Sequence, residues 1–234
     1  MRKQRTSYFM MKPLNRRLRA GVAFTVACAA WFAVVFATGA AENKPVYENN
    51  FTGAAPDKVP DDMLVLDGGF AVKEEAGNRF LELPGAPLET YGVLFGPTEA
   101  SGLSVGARIQ SSGKGRRFPR FGVGLNGVGG YKLQVTPAKK MIELYKGDDL
   151  LTNAPLNWES GSWFDVRLQA RKMKEGEIRI EGKCWKHGEP EPKDWAITRT
   201  ETAEVSPGRP SLWGMPFAGT PIRYDDLVVT RVER

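Results

Sequence analysis

The sequence predicts an all-β sandwich of antiparallel strands behind a separate N-terminal leader. Beyond residue 42, apolar and polar residues alternate over segments of about five to nine residues, the period of strands with one buried face. Clusters of Gly, Pro, Asn and Asp interrupt these segments every ten or so residues, the spacing of a sandwich rather than of βαβ units. No stretch beyond the leader carries a helical stripe, and the 26 glycines and 16 prolines fit many turns.

The leader spans residues 1–41. Arg2, Lys3, Arg5, Lys12, Arg16, Arg17 and Arg19 precede an uncharged, predominantly apolar run that ends in Gly39, Ala40 and Ala41. This is the pattern of a secretory signal cut before Ala41 or Glu42, or of a retained N-terminal membrane anchor. Both readings place residues 42–234 outside the cytoplasm as a single domain, with membrane association confined to the leader. The leader also explains the charge. The whole chain has a net charge of +6, from 33 Lys+Arg and 27 Asp+Glu; without the seven leader cations the balance is 26 to 27. A nearly neutral body argues against a nucleic-acid surface. With Cys184 the only cysteine after the leader, an intramolecular disulfide is excluded and the domain depends on its apolar core.

Along the body, 63–85 reads as strands broken at Gly68-Gly69 and Gly77-Asn78. Residues 102–110 turn Leu103, Val105, Ala107 and Ile109 inward. Two strands flank Asn126-Gly127, with Phe121, Val123, Leu125, Tyr131, Leu133 and Val135 inward. Ile142 and Leu144 continue the series to a turn at Lys146-Gly147-Asp148. Phe164, Val166, Leu168 and Ala170 lead to a turn at Lys174-Glu175-Gly176, and Ile178, Ile180 and Cys184 line the return. "PIRYDDLVVTRV" supplies the last strand.

"SGSWFDVRLQA", "IEGKCWKHGEPEPKDW" and "GTPIRYDDLVVTRVE" resemble the closing strands of concanavalin A-like (laminin-G-like) jelly-roll domains of exported bacterial proteins, and "VYENNFTG" with "FLELPG" is similar to their opening strands. The resemblance covers most of residues 46–234 and implies a two-sheet jelly roll. It leaves function open among lectins, glucanases, adhesion modules and sugar hydrolases. It also implies a structural calcium ion between the first strand and an aspartate of the last, with Asp225 as the ligand beside Glu48 and Asn50.

The stretch 182–195 holds the chain's single histidine, but Cys184 and His187 have no further Cys or His to complete a zinc site, so it reads as a proline-stiffened loop. The same shortage argues against a Ser–His–Asp triad. Glycoside hydrolysis needs only two carboxyl groups. The E-x-D-x-x-E motif of related glucanases is absent, and Glu143, Asp165, Glu181 and Asp194 read as solvated acids, with Arg179 a cross-strand partner for Asp165. Binding fits better. With the apolar side inward, one outer face would present Arg108, Gln110, Gln134, Arg167, Gln169, Arg179, Lys183 and Trp185, planar polar groups and an indole suited to sugar. Trp158, Trp163, Trp195 and Trp213 read as core or loop anchors, and the basic loop 113–120 as solvated. The resulting expectation is an exported, non-catalytic module that binds a polysaccharide or oligosaccharide. The alternatives are a hydrolase of a glycoside or modified disaccharide, and an adhesion module docking on another exported protein.

Overall fold

The computed structural model describes residues 44–85, 89–202 and 204–232, so the expected leader lies outside the described residues. In chain order the strands are β1 (Tyr47–Asn49), β2 (Leu64–Asp67), β3 (Ala71–Glu75), β4 (Asn78–Leu83), β5 (Tyr91–Leu94), β6 (Leu103–Ser111), β7 (Arg120–Leu125) and β8 (Tyr131–Thr136). After a 3-10 turn (Pro137–Lys139) come β9 (Met141–Lys146), β10 (Asp149–Pro155), β11 (Trp163–Lys174), β12 (Glu177–Lys186), β13 (Ile197–Thr202), β14 (Ser211–Met215) and β15 (Ile222–Arg231).

These strands form two antiparallel sheets. The first runs β13-β12-β11-β6-β15-β4-β3, with β1 also paired to β15; the second runs β10-β9-β8-β7-β14-β5-β2. Every inward residue expected from the alternation is buried, from Leu103 to Ile109 on β6 and from Phe164 to Ala170 on β11. Fully burying each such Leu, Ile or Phe contributes about 1.5–3 kcal/mol, which suits a domain with no cross-link. Strands β5, β13 and β14 were not expected. β5 and β14 are short and interrupted by glycine, and β13 is an edge strand whose sequence ITRTET is mostly polar and exposed, so none carries a clear alternation.

The turns follow local chemistry. Between β3 and β4, Ala76 and Gly77 both adopt positive φ (52° and 80°), the mirror-image turn that matches strand twist. Glycine also governs how the layers meet. Gly182 on β12 faces inward, and a Cβ there would lie 2.8 Å from the Leu133 side chain. Gly214 on β14 likewise makes room for Tyr224, whose hydroxyl would be 2.5 Å from an added Cβ. Tyr224, fully buried on β15, donates its O–H to the Trp213 carbonyl at 2.9 Å. A side chain of the first sheet thus fixes the backbone that carries Trp213 in the second.

Candidate functional site

The outer face of the first sheet holds seven of the expected binding residues: Arg108 and Gln110 on β6, Arg167 and Gln169 on β11, and Arg179, Lys183 and Trp185 on β12. Most are already engaged. Arg108 pairs with Asp225 (2.5 Å) and Asp226 (3.1 Å), lies 4.8 Å from the Trp163 ring centroid, and contacts His187 at 3.4 Å. Gln110 donates to the Gly161 carbonyl and accepts from Arg223. Gln169 donates to Glu181 at 2.6 Å, and Arg171 pairs with the same carboxylate.

The loop 187–196 folds back onto this face. Glu191 pairs with Arg167 (2.7 Å) and Lys183 (2.8 Å), the Lys183 ammonium donates to the Pro192 carbonyl, and Trp195 covers Lys183 with 4.4 Å to its centroid. Arg167 and Lys183 therefore bind the chain itself. The expected pair Arg179–Asp165 does not form: Arg179 stands opposite Arg171 and Thr200, while Asp165 lies opposite Arg108 and accepts from His187 at 2.9 Å. Glu181 and Glu143, read as solvated acids, are 5% and 1% exposed, because cross-strand donors satisfy their oxygens and let them sink into the sheet.

The arrangement at Asp225 does not fit calcium. One carboxylate oxygen accepts from Arg108 and from Asn78 (2.9 Å), and the other accepts the Asp226 N–H at 2.8 Å. A guanidinium stands where a cation would, and calcium needs six to eight oxygens. Among the described residues no three Asp, Glu, His or Cys side chains converge on a metal position. A bulge in β15, where the register shifts between Asp225 and Val228, places Asp226 at φ 47°. Burial, then the neighbouring Asp225 charge, raises the Asp226 pKa despite Arg108.

Gln134, expected on the same face, lies on the second sheet instead. It stands on β8, opposite Gly122 on β7 and Glu143 on β9. Lying between the inward Leu133 and Val135, it does point outward, but into a different neighbourhood. Trp213 on β14 occupies the same cross-strand row, next to Gly122 and Gly92. Its indole extends across both flanking strands: a Cβ at Gly92 would lie 2.8 Å from Cζ3, and one at Gly124 would lie 3.0 Å from Nε1. Glycine at these outward positions is what allows the ring to lie against the sheet. The indole N–H donates to Ser211 Oγ at 2.8 Å, which fixes its rotation.

Around the half-buried indole is a set of ordered polar groups. Lys132 on β8 places its ammonium 5.5 Å from the Trp213 centroid and 5.2 Å from the Tyr145 centroid. Glu143 accepts from Thr136 (2.6 Å), Lys139 (2.7 Å), Tyr145 (3.0 Å) and Gln134 (3.4 Å). Burial alone would raise the Glu143 pKa, but the bonds from Lys139, Thr136 and Tyr145 together hold it below the ordinary value. Arg120, at the start of β7, lies 5.4 Å from the Phe217 centroid. The sequence held one signal for this site: "YGVL", "RFGVGL" and "SLWGM" put glycines and a tryptophan on outward positions of strands that turned out to be neighbours.

No protein-family model and no curated protein sequence matches the chain. Solved structures do. The carbohydrate binding module CBM66 from Bacillus subtilis is 10% identical over 72% of this chain and 95% of its own, with a TM-score of 0.51. A Bacillus subtilis protein of unknown function with a galectin-like fold is 12% identical over 81% and 97%, with a TM-score of 0.56. The xylan beta-1,4-xylosidase from Bacillus halodurans is 14% identical over 81% of this chain but only 40% of its own, also at 0.56. With two antiparallel sheets stacked around one core and these structures as its likenesses, residues 44–232 have the concanavalin A-like jelly-roll fold.

Proposed function

We propose that this chain is an exported carbohydrate-binding module whose ligand lies on the outer face of the second sheet, stacked on Trp213. One observation carries the reading: the indole rests on a floor of glycines with its orientation fixed by Ser211, and the Lys132 ammonium lies 5.5 Å from its centroid. An aromatic plane of this kind packs against the C–H face of a sugar ring, and nearby polar groups bond the hydroxyls. The likeness to CBM66 and to a galectin-like fold supports the same reading. On the first sheet the loop 187–196 already engages Arg167 and Lys183, which favours the second sheet.

The test is retention of the full-length protein on a panel of immobilised plant and algal polysaccharides. Trp213→Ala is expected to weaken binding at least tenfold, whereas Arg167→Ala and Trp185→Ala bind like the parent. Failure to bind any glycan, or equal binding by Trp213→Ala, would overturn the proposal. Release of new reducing ends from a retained glycan would make the protein an enzyme rather than a binding module.

A further inference from the structure

The charge distribution around Trp213 narrows the class of glycan. Three basic side chains face this part of the second sheet, and they are not equivalent. Lys139 is committed to Glu143 at 2.7 Å. Lys132 and Arg120, among the described residues, have no carboxylate within ion-pair distance; each rests against an aromatic ring instead. They also flank the site symmetrically. In the ladder, Gln134, Gly122 and Trp213 form one cross-strand row; Lys132 lies two residues from Gln134 on one side of it, and Arg120 two residues from Gly122 on the other.

An ammonium half-buried between two rings without a counter-ion loses hydration that nothing in the chain restores. Burial, with Arg120 nearby, accordingly lowers the Lys132 pKa, and Asp148 offsets this only in part. The acid on the same face gives no compensation, since both Glu143 oxygens already accept hydrogen bonds from Lys139, Thr136, Gln134 and Tyr145. The face therefore presents two unneutralised cations beside one stacking platform, while its single buried carboxylate is internally balanced. A neutral sugar would leave Lys132 as it is. A sugar carrying an anionic substituent would supply the missing charge.

We infer that the Trp213 face binds an acidic polysaccharide, one whose sugars carry carboxylate or sulfate groups, with Lys132 and Arg120 pairing with anions on either side of the stacked ring. The inference rests on the sugar-binding reading above and goes one step beyond it, so the experiment separates the two. Affinity electrophoresis of the full-length protein would compare polygalacturonate with its fully methyl-esterified form, which has the same sugars without the charge, together with a carrageenan and a neutral xylan. Polygalacturonate, carrageenan or both are expected to bind at least tenfold more tightly than the ester and the xylan. Which of the two binds tells carboxylate from sulfate. Lys132→Met is expected to remove most of that preference while keeping residual binding, and to reduce the salt dependence of the parent. Equal binding of the acid and its ester, or preference for neutral xylan, overturns this inference and leaves the sugar-binding proposal standing. No binding to any of the four, in a protein whose thermal melting is intact, counts against both.

Discussion

Asp226 is the residue at which local geometry and charge most clearly oppose each other. It holds a left-handed φ of 47° in the bulge that interrupts the pairing of the last strand, next to a second aspartate that is 1% exposed. A non-glycine residue in that conformation is strained, though Asn tolerates it better than most. Because burial and Asp225 raise its pKa, the folded chain holds a proton that the unfolded chain releases at lower pH. Its contribution to stability is therefore complete below the unfolded value of about 3.9 and is lost as pH rises through the raised folded one. Asp226→Asn is expected to raise the melting temperature at neutral pH and to give no gain near pH 3. A melt series across that range checks both halves. The neighbouring Asp225 is buried with a guanidinium and an amide as partners, and these occupy the carboxylate oxygen that the calcium reading assigned to the ion.

At the scale of elements, the packing depends on where the strands omit side chains. Gly182 lies among Ile180 and Cys184 on the inward side of β12, at the point where Leu133 of the opposite sheet projects. Gly182→Val would drive a branched side chain into that leucine, and overpacking of this kind costs about 1–3 kcal/mol. Urea denaturation should show that loss with an unchanged slope. Outward glycines do a different job. Gly92 and Gly124 leave space that the Trp213 ring fills from the side, so the strands β5, β7 and β14 act as a single platform although they are far apart in sequence. Alternation within one strand cannot show this, because it says which side a residue faces and not which strand lies next to it.

Taken whole, the domain's core is built by burial of apolar side chains, and its single thiol reports on that. Cys184 is 8% exposed, and burial, reinforced by Asp165, pushes its pKa far above the ordinary thiol range. The thiolate is the reactive form, so the native thiol is inert. In a Cys28→Ser background, Cys184 is expected to resist a thiol reagent under native conditions and to become labelled only across the denaturation transition. Rapid labelling in buffer would mean that β12 opens locally.

By itself the sequence determined the layers. A period of two assigned Leu103 to Ile109, Phe121 to Leu125 and Phe164 to Ala170 to one core, and glycine-rich breaks placed most turns, because strand alternation is a local property of the chain. It also identified 187–195 as a loop. Only the tertiary structure decided which side chains share each outer face. The fold-back of Glu191 and Trp195 onto Arg167 and Lys183, the placement of Gln134 on the opposite sheet, and the glycine floor beneath Trp213 all depend on pairings between residues distant in sequence. Strand order, which no single segment encodes, is what brings those residues together.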